Sequence, residues 1–174
     1  MKGKFFSMAS RMLVLGALVC GALLSACSGI DCLVDTTVKV KYGIRTMSGT
    51  ELVTDTLKDT LNVWTRRRNG TDTLLLNKGV NITSFSLPIS YARPEDTLRV
   101  QLTTKDHKVT TDTVWVQKND IPHFESIDCA ARYFHWLTAV RSTHHAIDTI
   151  IINNPSVTYD QSVTNLYISF KSDR

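Results

Sequence analysis

The 174-residue chain carries 20 Lys and Arg against 16 Asp and Glu, a formal net charge of +4, with 43% hydrophobic residues and eight glycines. Three of the bases (Lys2, Lys4 and Arg11) stand ahead of an apolar N-terminal segment; setting those three aside leaves 17 basic residues against 16 acidic ones, no electrostatic case for nucleic acid. The glycines are scattered and no G-x-S-x-G, H-E-x-x-H or Cys-x-x-Cys occurs, so the sequence offers no phosphate-cradling loop, nucleophile elbow or zinc pair.

The apolar segment, Met12 to Leu24, is 13 residues long. That is short of the roughly 20 a membrane-spanning helix needs, and with its basic flank it reads as a signal helix. Leu24-Ser25-Ala26-Cys27 follows and resembles the bacterial lipoprotein box, in which the cysteine thiol takes a diacylglycerol thioether and becomes the new N-terminus. The expected organisation is a removed signal peptide over 1–26, a lipidated Cys27 with a short tether over 27–35, and one domain over 36–174. Of four cysteines, Cys20 leaves with the signal and Cys27 is capped by lipid, so Cys32 and Cys129 remain. An even pair in an exported chain predicts a disulfide, with two free thiols or half a metal site as alternatives. Closing a loop of 97 residues would stabilise the fold by about 4–5 kcal/mol in the chain-entropy model.

Beyond the tether the pattern is β throughout. "TTVKVKY" alternates Val38, Val40 and Tyr42 against Lys39 and Lys41, as a half-buried strand does. "LNVWTRRRNGTDTLLL" gives two strands around Asn69-Gly70, a strong hairpin signal. "SFSLPIS" is a short strand that Pro88 sends to an edge or a bulge. "DTLRVQLTTKDHKVTTDTVWVQK" is a second hairpin turning near Lys105 to Lys108, "ARYFHWLTAVR" fits a buried strand or two helical turns, and "AIDTIIIN" and "NLYISFK" close the chain around an Asn-Pro turn at 154–155. The count is about eight strands in an antiparallel, immunoglobulin-like β-sandwich, with a small β-barrel as the alternative.

Seven of the 13 aspartates are followed by Thr and then Thr or an aliphatic residue. Strand grammar accounts for this: Asp ends a turn, Thr opens a strand and the aliphatic starts its buried face. Each triplet also resembles the O-glycosylation sequon of Bacteroidota, which makes Thr36, Thr56, Thr60, Thr73, Thr97, Thr113 and Thr149 candidate acceptors. The three tryptophans, Trp64, Trp115 and Trp136, read as core or inter-sheet packing, with a ligand-stacking role for one of them as the alternative. Arg66-Arg67-Arg68 reads as a solvated turn or a contact with anionic lipid headgroups. His144 and His145 are neighbours, which a strand sends to opposite faces, while His123 shares a face with Glu125 and His135 could join them in space.

With the lipobox, the paired Cys32 and Cys129, and "PHFESIDC…YFHWLTAVRSTHHAIDTIIINNP", the chain resembles a family of small Bacteroidota lipoproteins of unknown function. The resemblance implies an outer-membrane or periplasmic address and transfers no catalytic residue. Ser28 to Asp31 lacks the acidic run that marks surface export, which favours the periplasmic face. The function expected is a non-catalytic, lipid-anchored module that binds a protein or envelope partner, with no metal and no cofactor. A glycan-handling accessory is the first alternative and a metal-dependent hydrolase built on the histidines the second.

Overall fold

Alternating polar and apolar residues leave no stretch long enough for an amphipathic helix, and the computed structural model is built of strands alone among the residues it describes, 37–67, 69–127 and 129–172. There are eleven: β1 (Lys39–Ser48), β2 (Glu51–Thr54), β3 (Thr60–Arg66), β4 (Asp72–Gly79), β5 (Ser84–Pro88), β6 (Glu95–Thr103), β7 (Val109–His123), β8 (Arg132–Ser142), β9 (Ile147–Ile152), β10 (Ser156–Val157) and β11 (Leu166–Phe170). The signal segment, Cys27, Cys32 and Thr36 lie outside the described residues.

The strands form two sheets that pack together, the all-β sandwich expected. One sheet runs β2-β1-β11-β9, with β5 on the same edge of β1 as β2; the other runs β10-β8-β7-β6-β3-β4. β5 covers Lys39–Gly43 of that edge and β2 covers Arg45–Ser48. Pro88 is the last residue of β5, a strand that pairs only with β1, so its missing N–H interrupts no ladder. Eleven strands stand where about eight were expected, because β2 and β10 are too short to show a period. One pair is parallel: β1 and β11 run side by side, with Tyr42 opposite Leu166 and Ile44 opposite Ile168. Gly43 permits this closeness, since a Cβ there would meet Thr164 Cγ2 at 2.9 Å and the Tyr167 ring at 3.3 Å. Gly70, at φ +83°, supplies the left-handed residue of the β3–β4 hairpin.

The core lies between the sheets. Val40, Tyr42, Ile44, Phe85, Leu87, Leu166 and Ile168 face Leu61, Val63, Leu98, Val100, Leu102, Val114, Val116 and Leu137. Each fully buried aliphatic contributes roughly 1.5–3 kcal/mol.

Among the described residues, six connections carry the chain between the sheets, and β7 holds two of them, β5 to β6 and β8 to β9. Asp112, on the core face near the start of β7, is buried. Its carboxylate accepts hydrogen bonds from Thr143 Oγ1 (2.7 Å) and from the backbone N–H groups of His145 (2.7 Å), Ala146 (2.7 Å) and Ile147 (2.9 Å), clamping the passage from β8 to β9. Burial pushes its pKa up, but those four bonds outweigh it and hold the carboxyl below the usual range.

Replacing Asp112 by Ala leaves buried amides without an acceptor and should cost at least about 3 kcal/mol, read as a lower urea midpoint with an unchanged slope. Because the folded-state pKa is depressed, the wild-type contribution is complete above the unfolded value, about 3.9, and is lost as pH falls through the folded one. Asp112→Ala should therefore show a shallower acid limb than wild type.

Candidate functional site

Further along the same face, β7 places Lys118 and Asp120 in phase with Val114 and Val116, next to a register irregularity at Gln117/Lys118. The Lys118 side chain has no exposed surface. Its ammonium donates to the Arg93 carbonyl at 2.9 Å and to Asp120 Oδ1 at 2.5 Å, and its backbone N–H donates to the Pro94 carbonyl at 2.9 Å. Lysine thus pins the passage from β5 to β6, residues 89–94, as Asp112 pins the other passage.

Asp120 Oδ1 also lies 2.6 Å from Nδ1 of buried His135, opposite it on β8. A carboxylate can only accept here, so Nδ1 carries the proton. Burial lowers the His135 pKa, helped by the Lys118 charge and opposed by Asp120. The imidazole is therefore neutral near pH 7, with Nε2 unprotonated. Asp96 completes the group. Burial raises its pKa, against the Ser90 N–H (2.8 Å to Oδ2) and the charges of Lys118 and Arg93. Burial and the Asp96 charge also raise the Tyr42 phenol.

Two clefts open above this network, on either side of the 89–94 passage. The larger, about 850 Å³ and open to solvent, is lined by Thr65, Arg66, Arg67, Ser90, Arg93 and Asp96 among others. The smaller, about 400 Å³, has His135 in its lining, with Val38, Ile89, Tyr91, Arg132 and Tyr133. Tyr91 and Tyr133 stack at 5.3 Å and 7° beside it. Both clefts lie at the end of the sandwich where the described chain begins, the N-terminal pole.

The tryptophans are not in the core, contrary to expectation. Val63 points inward, so Trp64 points out; Val114 and Val116 point inward, so Trp115 points out. Arg99 lies over the Trp64 ring at 4.6 Å and Arg141 over Trp115 at 4.1 Å. The arginines are held in turn by Asp72 (3.4 Å) and Glu95 (3.2 Å). The outer face of the six-stranded sheet thus carries a Trp/Arg array, flanked by Leu74 (43% exposed) on β4 and Trp136 (48%) on β8.

Of the other predicted residues, Cys129 is disulfide-bonded, and the remaining cysteines lie outside the described residues. Thr56 and Thr149 are exposed, while Thr60, Thr73, Thr97 and Thr113 are half-buried. In five of the six described triplets the aliphatic residue (Leu57, Leu61, Leu98, Val114, Ile150) is buried, as strand grammar requires, and Leu74 is the exception. The histidines go to different partners: His123 stacks on Phe134 (4.2 Å), His135 meets Asp120, His144 Nδ1 meets the Asp148 carbonyl (3.0 Å), and His145 Nδ1 lies 3.2 Å from Asp112. No group of three potential ligands forms among the described residues. The Lys118–Asp120–His135 network was missed, although Lys118 falls on the apolar phase of β7, which was the available signal.

Residues 60–170 match the family of unknown function DUF6452. The chain belongs to this family. No curated protein and no solved structure matches it. The span of the DUF6452 match takes in the two inter-sheet passages that β7 holds, the network beneath the clefts and the Trp/Arg array.

Because His135 is buried neutral, its depressed pKa makes folding less favourable as pH drops from the unfolded value, about 6.5, towards the folded one. Thermal unfolding followed from pH 7.5 to 5.5 should fall more steeply for wild type than for His135→Gln. Parallel slopes would contradict the assignment.

Proposed function

We propose that this DUF6452 chain is a lipid-anchored protein of the periplasmic face of the outer membrane that works by binding a protein partner rather than by catalysis. The observation that carries the binding part is the Trp/Arg array on the outer face of the six-stranded sheet. Trp and Arg dominate binding hot spots because each offers a large planar surface with a polar edge, and partial burial lowers the entropy lost on contact. Here the cation–π contacts and the carboxylates of Asp72 and Glu95 hold the planes in place before any partner arrives. A partner with a flat apolar patch bordered by acidic groups would fit this face.

The anchor rests on Leu24 to Cys27. With Cys32 as the partner of Cys129, the lipid would be only five peptide steps from the stapled cysteine, a reach of at most about 16–18 Å. Thr56 and Thr149 are the most accessible of the described candidate glycosylation sites. A second reading, glycan handling, is favoured by the stacked Tyr91 and Tyr133 beside the cleft that His135 lines, since sugars stack on aromatic faces and donate hydroxyl hydrogens.

Two experiments test the proposal. Cys27→Ala should release the chain from membranes after a high-salt wash, whereas retention would reject the lipid anchor. A photoreactive residue at Leu74, beside the array, should give a discrete crosslinked product in cells, which Trp115→Ala and Arg141→Ala abolish while leaving the thermal midpoint within a few degrees. A product that survives both substitutions would remove the array from the interface.

A further inference from the structure

We propose that the N-terminal pole is a second membrane contact, where a basic cleft and, on the same pole, exposed aromatic and aliphatic side chains seat the phosphate headgroups of an anionic bilayer. This goes beyond the lipid anchor, on which it rests only for the orientation of the tethered domain.

The cations come first. Arg66 and Arg67 are exposed and Arg93 is half-buried, and all three line the 850 Å³ cleft. They are partly pre-placed: Arg93 Nη1 donates to the Arg66 carbonyl at 3.0 Å, and Arg66 Nε donates to the Gly70 carbonyl at 3.2 Å. Beneath them, Lys118 holds the Arg93 carbonyl. Neighbouring acids are largely committed elsewhere. Asp72 pairs with Arg99 and Glu95 with Arg141. Asp96 lines the cleft, but it accepts the Ser90 N–H and lies within the fields of Lys118 and Arg93. Among the described residues two exposed acids are left at this pole, Glu125 in the β7–β8 connection and Asp160 in the β10–β11 connection, where Asp160 accepts from the Ser162 N–H and hydroxyl.

Apolar side chains protrude from the same connections. Tyr91 is 68% exposed, Phe124 67% and Ile127 100%. Tyrosine suits the headgroup level of a bilayer, with an apolar ring and a polar tip. The opposite pole differs in its aromatics: its β6–β7 hairpin carries Lys105 and Lys108 and the pole exposes Met47, Val80 and Val109, yet no aromatic residue at that end is among the exposed large hydrophobics of the described residues.

The tether fixes the choice of occupant. Ten peptide steps separate Cys27 from Thr37, which lies beside the smaller cleft, so the pole stays within about 35 Å of a bilayer that holds the lipid. Tethering keeps the effective concentration high, and a contact too weak to capture free protein is then enough to orient the domain. Each arginine near an anionic surface adds roughly fivefold. Seated this way, the domain would hold its Trp/Arg array to the side, clear of the lipid.

The test uses the mature protein purified from cells and placed in vesicles of phosphatidylcholine alone or of phosphatidylcholine with phosphatidylglycerol. Attachment to both vesicle types reads the anchor. Docking is read separately, as slowed hydrogen exchange over residues 66–71 and 89–94 in the anionic vesicles only, with residues 104–108 unchanged. High salt should remove the protection. Arg67→Gln should lower it about fivefold, Tyr91→Ser should also lower it, and Lys105→Gln should leave it alone. Equal exchange in the two vesicle types, or equal losses from Lys105→Gln, would overturn the proposal. If the protein fails to stay with phosphatidylcholine vesicles, the anchor reading fails, and docking is read as flotation with the anionic vesicles; flotation with neither overturns both.

Discussion

A lysine ammonium with no exposed side-chain surface must find acceptors inside the fold, and the way Lys118 does so sets the geometry of everything above it. It takes the Arg93 carbonyl and the Asp120 carboxylate, while its own amide takes the Pro94 carbonyl. Stripping either ion of its partner would leave a buried charge unmatched, at a typical cost of about 3–5 kcal/mol. The β5–β6 passage is therefore held at a fixed height over the core. Tyr91, Arg93 and the walls of both clefts take their positions from it.

Asp112 does the complementary job near the other end of β7. Lysine donates to the carbonyls of a passage that runs from the five-stranded to the six-stranded sheet. Aspartate accepts from the amides of a passage that runs the other way, from β8 to β9. One central strand thus uses two buried charges of opposite sign to tie the sheets together, with Val114 and Val116 packed between them. Apolar burial supplies most of the cohesion of the sandwich but is non-directional. The two charges supply direction, because a passage shifted by one residue would offer them the wrong backbone groups.

Much of this was legible in the sequence. The isoleucine run marked β9, while alternation marked β1, both hairpins and β11, since one face of each is buried. It also contained the true orientation of Trp64 and Trp115, which share the polar phase of their strands; ring size alone suggested a core role. β2 and β10 were invisible because two to four residues show no period. The parallel β1–β11 pair joins the two ends of the domain, and such a contact leaves no local trace. Lys118 was visible as a base on an apolar phase, but its meaning needed Asp120, His135 and Arg93, which only the sheet register and the β5–β6 passage bring together. The Asp-Thr-aliphatic triplets did two kinds of work: most open a strand, and the one at Asp112 also supplies the clamp.

The central claim is that Lys118 holds the β5–β6 passage, and through it the N-terminal pole. Hydrogen exchange on Lys118→Met tests it most directly, because methionine keeps most of the side-chain length and apolar stem while removing the charge and the donors. The account predicts that amides of residues 89–94, Ser90 above all, exchange roughly tenfold faster or more, the equivalent of about 1.4 kcal/mol or more of local opening, while residues 98–102 and 112–116 keep their protection. Unchanged exchange over 89–94, or an equal loss of protection across both sheets, would contradict it.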